Sequence, residues 1–86
     1  MEGRTMKAIQ TKYIGPSNIR GSRIKAFDGD GHSVTLSYDS ALNSDQNHLK
    51  AAMALRDKMQ WAGKLIGGGI KTGYVFCFAD SWLREE

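Results

Sequence analysis

The sequence predicts an α+β fold in the order β-β-β-α-β-β, with one helix packed on an antiparallel sheet, and three observations lead there. Residues 22–38 alternate apolar and polar side chains about an Asp-Gly-Asp-Gly turn, as a hairpin requires. Residues 44–61 carry apolar side chains at helical spacing behind an N-cap signal. Two short apolar runs then follow, punctuated by glycine.

The first strand should run from Met6 to Ile14 and stop at Gly15-Pro16, because proline cannot donate to a ladder. Residues 17–21 form a loop with turn formers at both ends. The second strand spans Ser22 to Asp28, with Ile24 and Ala26 on one face and Arg23, Lys25 and Phe27 on the other. Asp28-Gly29-Asp30-Gly31 closes the hairpin, and Ser33 to Tyr38 returns with Val34, Leu36 and Tyr38 inward. Asn43-Ser44 caps a helix to Gln60 or Trp61, with Asp45 in its first turn and Gly63 as its stop. Its expected apolar stripe is Leu49, Ala52, Leu55 and Met59, with Arg56 inside that arc and therefore extending to water or to a carboxylate. A fourth strand starts at Lys64-Leu65-Ile66 and breaks at Gly67-Gly68-Gly69. The fifth, Tyr74 to Phe78, is apolar on both faces. The core expected from this pattern is Val34, Leu36, Leu49, Ala52, Leu55, Met59, Val75 and Cys77.

With 86 residues, 41% hydrophobic and 24% charged, the chain is expected to be one domain over residues 1–86, with 1–5 and 80–86 peripheral. A core this small leaves little room for a deep substrate cavity, which argues against an enzyme. Cys77 is the single cysteine, so no intramolecular disulfide can form. There is no apolar run near the roughly 20 residues that span a bilayer, and no apolar signal core follows Met1. The expectation is a cytoplasmic protein without membrane contact, starting at Met1 or at Met6.

Cofactor and metal chemistry find no support. Gly67 to Thr72 lacks the glycine that precedes lysine in a phosphate loop, and a strand follows it where a helix is needed. Asp28 to His32 is half a calcium loop without its distal glutamate. His32 and His48 have no partners at zinc spacing and read as exposed polar residues. Cys77, in the most apolar run, reads as a buried structural thiol. No catalytic, cofactor or metal residue is assigned.

Charge is the positive signal. From Gly3 to Phe27 there are six bases and no acid, whereas from Asp28 to Glu86 six bases meet eight acids. Such asymmetry suits a nucleic-acid or acidic-partner surface. The candidate residues are Lys12, Asn18, Arg20, Arg23, Lys25 and Phe27, bases for phosphates and an aromatic for stacking, with Tyr13 beside Lys12. A solvated strand face whose lysines only guard an edge is the plainer alternative.

The segments Lys7-Ala8-Ile9-Gln10-Thr11-Lys12-Tyr13, Asn18 to Ala26 and Gly73-Tyr74-Val75-Phe76 resemble a group of short proteins of proteobacterial genomes, phages and plasmids. The likeness spans most of Met6 to Phe78 and departs at Ser37, where the group has proline. It carries no activity or site residue with it, and implies only the context of a mobile genetic element. In gross plan the chain is similar to several anti-CRISPR proteins. Two functions are therefore expected in competition. One is a nucleic-acid-binding module using the basic strand face. The other is a counter-defence inhibitor that docks on a nucleoprotein defence complex and blocks its nucleic-acid groove.

Overall fold

The described residues form five strands and one helix: β1 (Ala8–Ile14), β2 (Arg23–Phe27), β3 (Ser33–Ser37), α1 (Ser44–Lys58), β4 (Leu65–Ile70) and β5 (Gly73–Phe78). The structure is a computed structural model and describes residues 8–79. The expected leader 1–5, the start of the first strand at Met6 and the tail 80–86 lie outside the described residues. All strand pairs are antiparallel, in the order β3-β2-β1-β5-β4, so the order β-β-β-α-β-β holds and β1 is central.

The hairpin forms where its alternation requires. Arg23 pairs with Ser37 and Phe27 with Ser33, which puts Ile24 and Ala26 into the core and Val34 and Leu36 against it. Its turn is built on one carboxylate. Asp28 Oδ1 accepts the N–H groups of Asp30 and His32, both at 2.9 Å, and Oδ2 lies 2.8 Å from His32 Nδ1. Burial pushes the Asp28 pKa up, but these hydrogen bonds and the His32 charge outweigh it and hold the group at about 2.

The helix begins as expected. Asn43 Oδ1 accepts the Gln46 N–H at 2.8 Å and Gln46 Oε1 accepts the Asn43 N–H at 3.0 Å, a complete capping box. Buried Asn47 then ties the β3–α1 connection down, accepting from the Asp39 N–H and donating to the carbonyls of Asp39, Leu42 and Asn43. The helix ends earlier than Gly63. Gln60 takes the left-handed conformation (φ 58°), with Gln60 N–H donating to Asp57 and Trp61 N–H to Arg56, so a Schellman motif forms on a non-glycine residue. Of the two alternatives expected for Arg56 the carboxylate is taken: it pairs with Asp57 at 3.0 Å and also donates to the Gly63 carbonyl at 3.1 Å.

The buried stripe of α1 is His48, Ala51, Ala52 and Leu55, one position round from the apolar pattern. Leu49 is 37% exposed, and His48, expected to be exposed, is 3% exposed. The displacement follows from packing: Ala51 and Ala52 let the helix approach the sheet, and His48 Nδ1 hydrogen-bonds Thr11 Oγ1 of β1 at 2.7 Å. The His48 ring also stacks on Tyr74 at 4.3 Å between centroids. A histidine satisfied in this way is stable in a core, and Leu49 is left at the rim.

In β5 the expected parity is reversed. Phe76 and Phe78 are buried beside Ile9, while Val75 and half-buried Cys77 occupy the other face. A strand apolar on both sides carries no parity signal, and the larger aromatic rings take the core. Nor does β4 break at its glycines, since residues 65–70 pair with β5 without interruption. Gly67 is required there: a Cβ would lie 2.4 Å from the Phe76 ring and 2.5 Å from the Val75 carbonyl oxygen. Val34, Leu36 and Met59 pack against the core as expected, and Ala52 and Leu55 are in it.

Two outcomes test this core. Leu55 is fully buried, so Leu55→Ala should cost about 2–5 kcal/mol in denaturant unfolding. Burial lowers the His48 pKa below 6.5, against a weaker upward pull from Asp45. The neutral ring therefore contributes stability above pH 6.5 that is lost as pH falls through its depressed folded-state pKa. Melting temperature should decline on acidification below about pH 6.5, and His48→Gln should flatten the profile in that window.

Candidate functional site

One helix covers only one side of a five-stranded sheet. The other face is formed by Gln10 and Lys12 of β1, Arg23, Lys25 and Phe27 of β2, Ser33, Thr35 and Ser37 of β3, and Val75 and Cys77 of β5. The alternation of β2 is the cause: its apolar residues turn to the helix, so its basic and aromatic residues must turn away. Four of the six candidate residues, Lys12, Arg23, Lys25 and Phe27, are thereby gathered on one surface.

The electrostatics of that surface are one-sided. None of the five strands holds an aspartate or glutamate. Lys12 and Lys25 are direct cross-strand partners, an arrangement of like charges that costs stability. Both ammonium groups lie over the Phe27 ring, at 5.8 Å and 6.0 Å from its centroid. The ring partly offsets their repulsion, since its face attracts cations. Among the described residues, no ion pair involves Lys12, Arg20, Arg23 or Lys25.

Two hollows open along β2. Near its end, Lys12, Lys25, Phe27 and His32 line a cavity of about 240 Å³. Asp28 also borders it, with its carboxylate engaged by the turn. Near its start, Arg20, Ser22, Arg23, Ser37, Tyr38 and Ser40 line a cleft of about 710 Å³ that, among the described residues, has no carboxylate in its wall. Arg23 Nε is buried there without a hydrogen-bond partner. A buried donor left unpaired costs about 1–3 kcal/mol, more when charged.

Arg20 comes from the loop between β1 and β2. Ser17 organises this loop, its hydroxyl accepting the Arg20 N–H at 3.1 Å and its own N–H donating to the Arg20 carbonyl at 2.7 Å. Tyr13 hydrogen-bonds Ser22 at 2.7 Å, which fixes the far side of the loop. Asn18 is exposed in the loop beside Ile19, which is 91% exposed, and it lines neither hollow. Sequence reasoning had not singled out the hydroxyls of Ser22, Ser37, Tyr38 and Ser40. The Arg23–Ser37 pairing that brings two of them in follows from the hairpin register, so the signal for Ser37 was available. Ser40 lies beyond the hairpin and had none.

Among the described residues, no group of three or more His, Cys, Asp or Glu is placed to hold a metal ion, and no helix is long and apolar enough to cross a membrane. Fold and site together define an α+β domain with one helix-covered and one open, basic sheet face. Comparison with protein-family models, curated proteins and solved structures yields no match.

If Lys12 and Lys25 repel each other, Lys12→Gln should stabilise the fold by a few tenths of a kcal/mol at low salt, and the gain should fade as salt is added. Thermal melts of both proteins at two ionic strengths measure this.

Proposed function

We propose that this protein is a non-enzymatic nucleic-acid-binding domain whose contact surface is the open face of the sheet. The observation that carries the reading is the pairing of Lys12 with Lys25 beside Arg23 on a sheet whose five strands hold no aspartate or glutamate. Repulsion of this kind is relieved by a polyanion, whose phosphates release counterions as they bind. Arg20, from the adjoining loop, extends the same field. The mobile-element context implied by the family likeness is compatible with such a role.

Polarisation titrations on generic DNA and RNA across salt concentrations test the proposal. With four bases in contact, log K should fall against log salt with a slope of about −3 to −4. Reversal of Arg20, Arg23 and Lys25 to glutamate should nearly abolish binding, and the milder triple change to glutamine provides a folded control should the reversal disturb β2. Absence of binding to any nucleic acid at low salt would overturn the reading. It would favour the competing role, in which these bases steer docking onto a nucleoprotein defence complex and their reversal slows that association.

A further inference from the structure

Resting on that reading, we propose that the open face takes single-stranded nucleic acid, with a backbone phosphate in the Arg20–Arg23 cleft and an unpaired base stacked on Phe27. Both hollows draw on side chains of the open face, Arg23, Thr35 and Ser37 in the cleft and Lys12, Lys25 and Phe27 in the other, so a chain that follows β2 meets both. Arg23 and Phe27 are four residues apart, about 13 Å along a strand.

Each hollow asks for a different part of a nucleotide. The cleft offers two guanidinium groups and several hydroxyls and, among the described residues, no acid in its wall, and Arg23, one of those residues, has a buried Nε with nothing to donate to. An oxyanion supplies the missing acceptor, and phosphate matches the planar fork of an arginine. The second hollow has an aromatic ring as its apolar element, flanked by the ammonium groups of Lys12 and Lys25. A flat π-system fits against that ring while its phosphates meet the lysines.

Strand state follows from the second hollow. Phe27 is half-buried, with the Lys12 and Lys25 ammonium groups over its ring. A ring so recessed is reached by a base turned out of its stack, and in a duplex the base faces are covered by their neighbours. The helix is no substitute reader for a groove. It lies behind the sheet, presents Leu49 and Met53 to solvent, and has Arg56 and Lys58 engaged with Asp57, Gly63 and Ser33.

The test compares labelled oligothymidylate and oligouridylate with a duplex of equal length, using the full chain. Either single strand should bind about ten-fold or more tightly than the duplex, and the DNA and RNA arms show which sugar is preferred. A 2-aminopurine in the single strand should change its fluorescence on binding to the wild-type protein, because stacking alters its emission. Phe27→Leu should weaken single-strand binding about ten-fold with an unchanged salt slope, whereas Arg23→Gln should reduce that slope by about 0.7. Equal affinity for the duplex, or an unaltered 2-aminopurine signal in the bound wild-type complex, would overturn the single-strand assignment and leave nucleic-acid binding standing. Failure of every oligonucleotide to bind at low salt would overturn both.

Discussion

Antiparallel hydrogen bonding between β1 and β5 joins two hairpins that lie far apart in the sequence, and the remaining contacts depend on that junction. Thr11 meets Tyr74 and Ile9 meets Phe76 across it. The approach is close enough that a Cβ at Gly73 (φ 155°) would lie 1.9 Å from the Thr11 carbonyl oxygen, so glycine is required where β5 begins. Once β1 is central, Thr11 faces the helix and accepts His48 as its partner, and Phe76 and Phe78 complete the core beside Ile9. The loop closure is entropically expensive and is compensated only when both hairpins and the helix are in place.

The same junction leaves the sheet with one helix for two faces. A chain of this length has a single helix to lay over the sheet and buries its main core on that side. Solvent must then cover the other face, and a bare sheet of β-formers is prone to association. Lysine and arginine on β1 and β2 counter that tendency. Their placement also concentrates positive potential, because no strand supplies an acid to balance it. Protection of a sheet and attraction of an anion are served by the same side chains. The two roles part at Arg23, whose Nε is withdrawn from solvent and lacks an acceptor.

Local signals proved legible where backbone chemistry and side-chain alternation agree. The Asp28 turn, the Asn43 cap and the two faces of β2 were all readable from residue type and spacing, and with β2 came most of the candidate surface. Positions where local preference is neutral were not readable. In β5, Val75 and Cys77 compete with Phe76 and Phe78 on equal terms until β1 is alongside. Leu49 outranks His48 on hydrophobicity, and the order is reversed by partners remote in sequence, the Thr11 hydroxyl and the Tyr74 ring. Gly67 looks like an interruption until the Phe76 ring above it is known. The Arg20–Arg23 cleft belongs to this second group, because its wall is assembled from a loop, a strand pair and the segment after β3.

Stability and the proposed function pull in opposite directions at Lys12 and Lys25. Cross-strand partners are normally selected for attraction, and here the register places two ammonium groups side by side over one ring. A protein that needed only a soluble sheet would do better with threonine or glutamine at either site, or with a glutamate across from a lysine. Either change would ease the repulsion and keep the face wet. Retaining both lysines makes sense when a phosphate comes between them, since the charge that destabilises the free protein then becomes the charge that holds the complex. Phe27 limits the penalty in the meantime, because its ring face attracts both cations until a base displaces them.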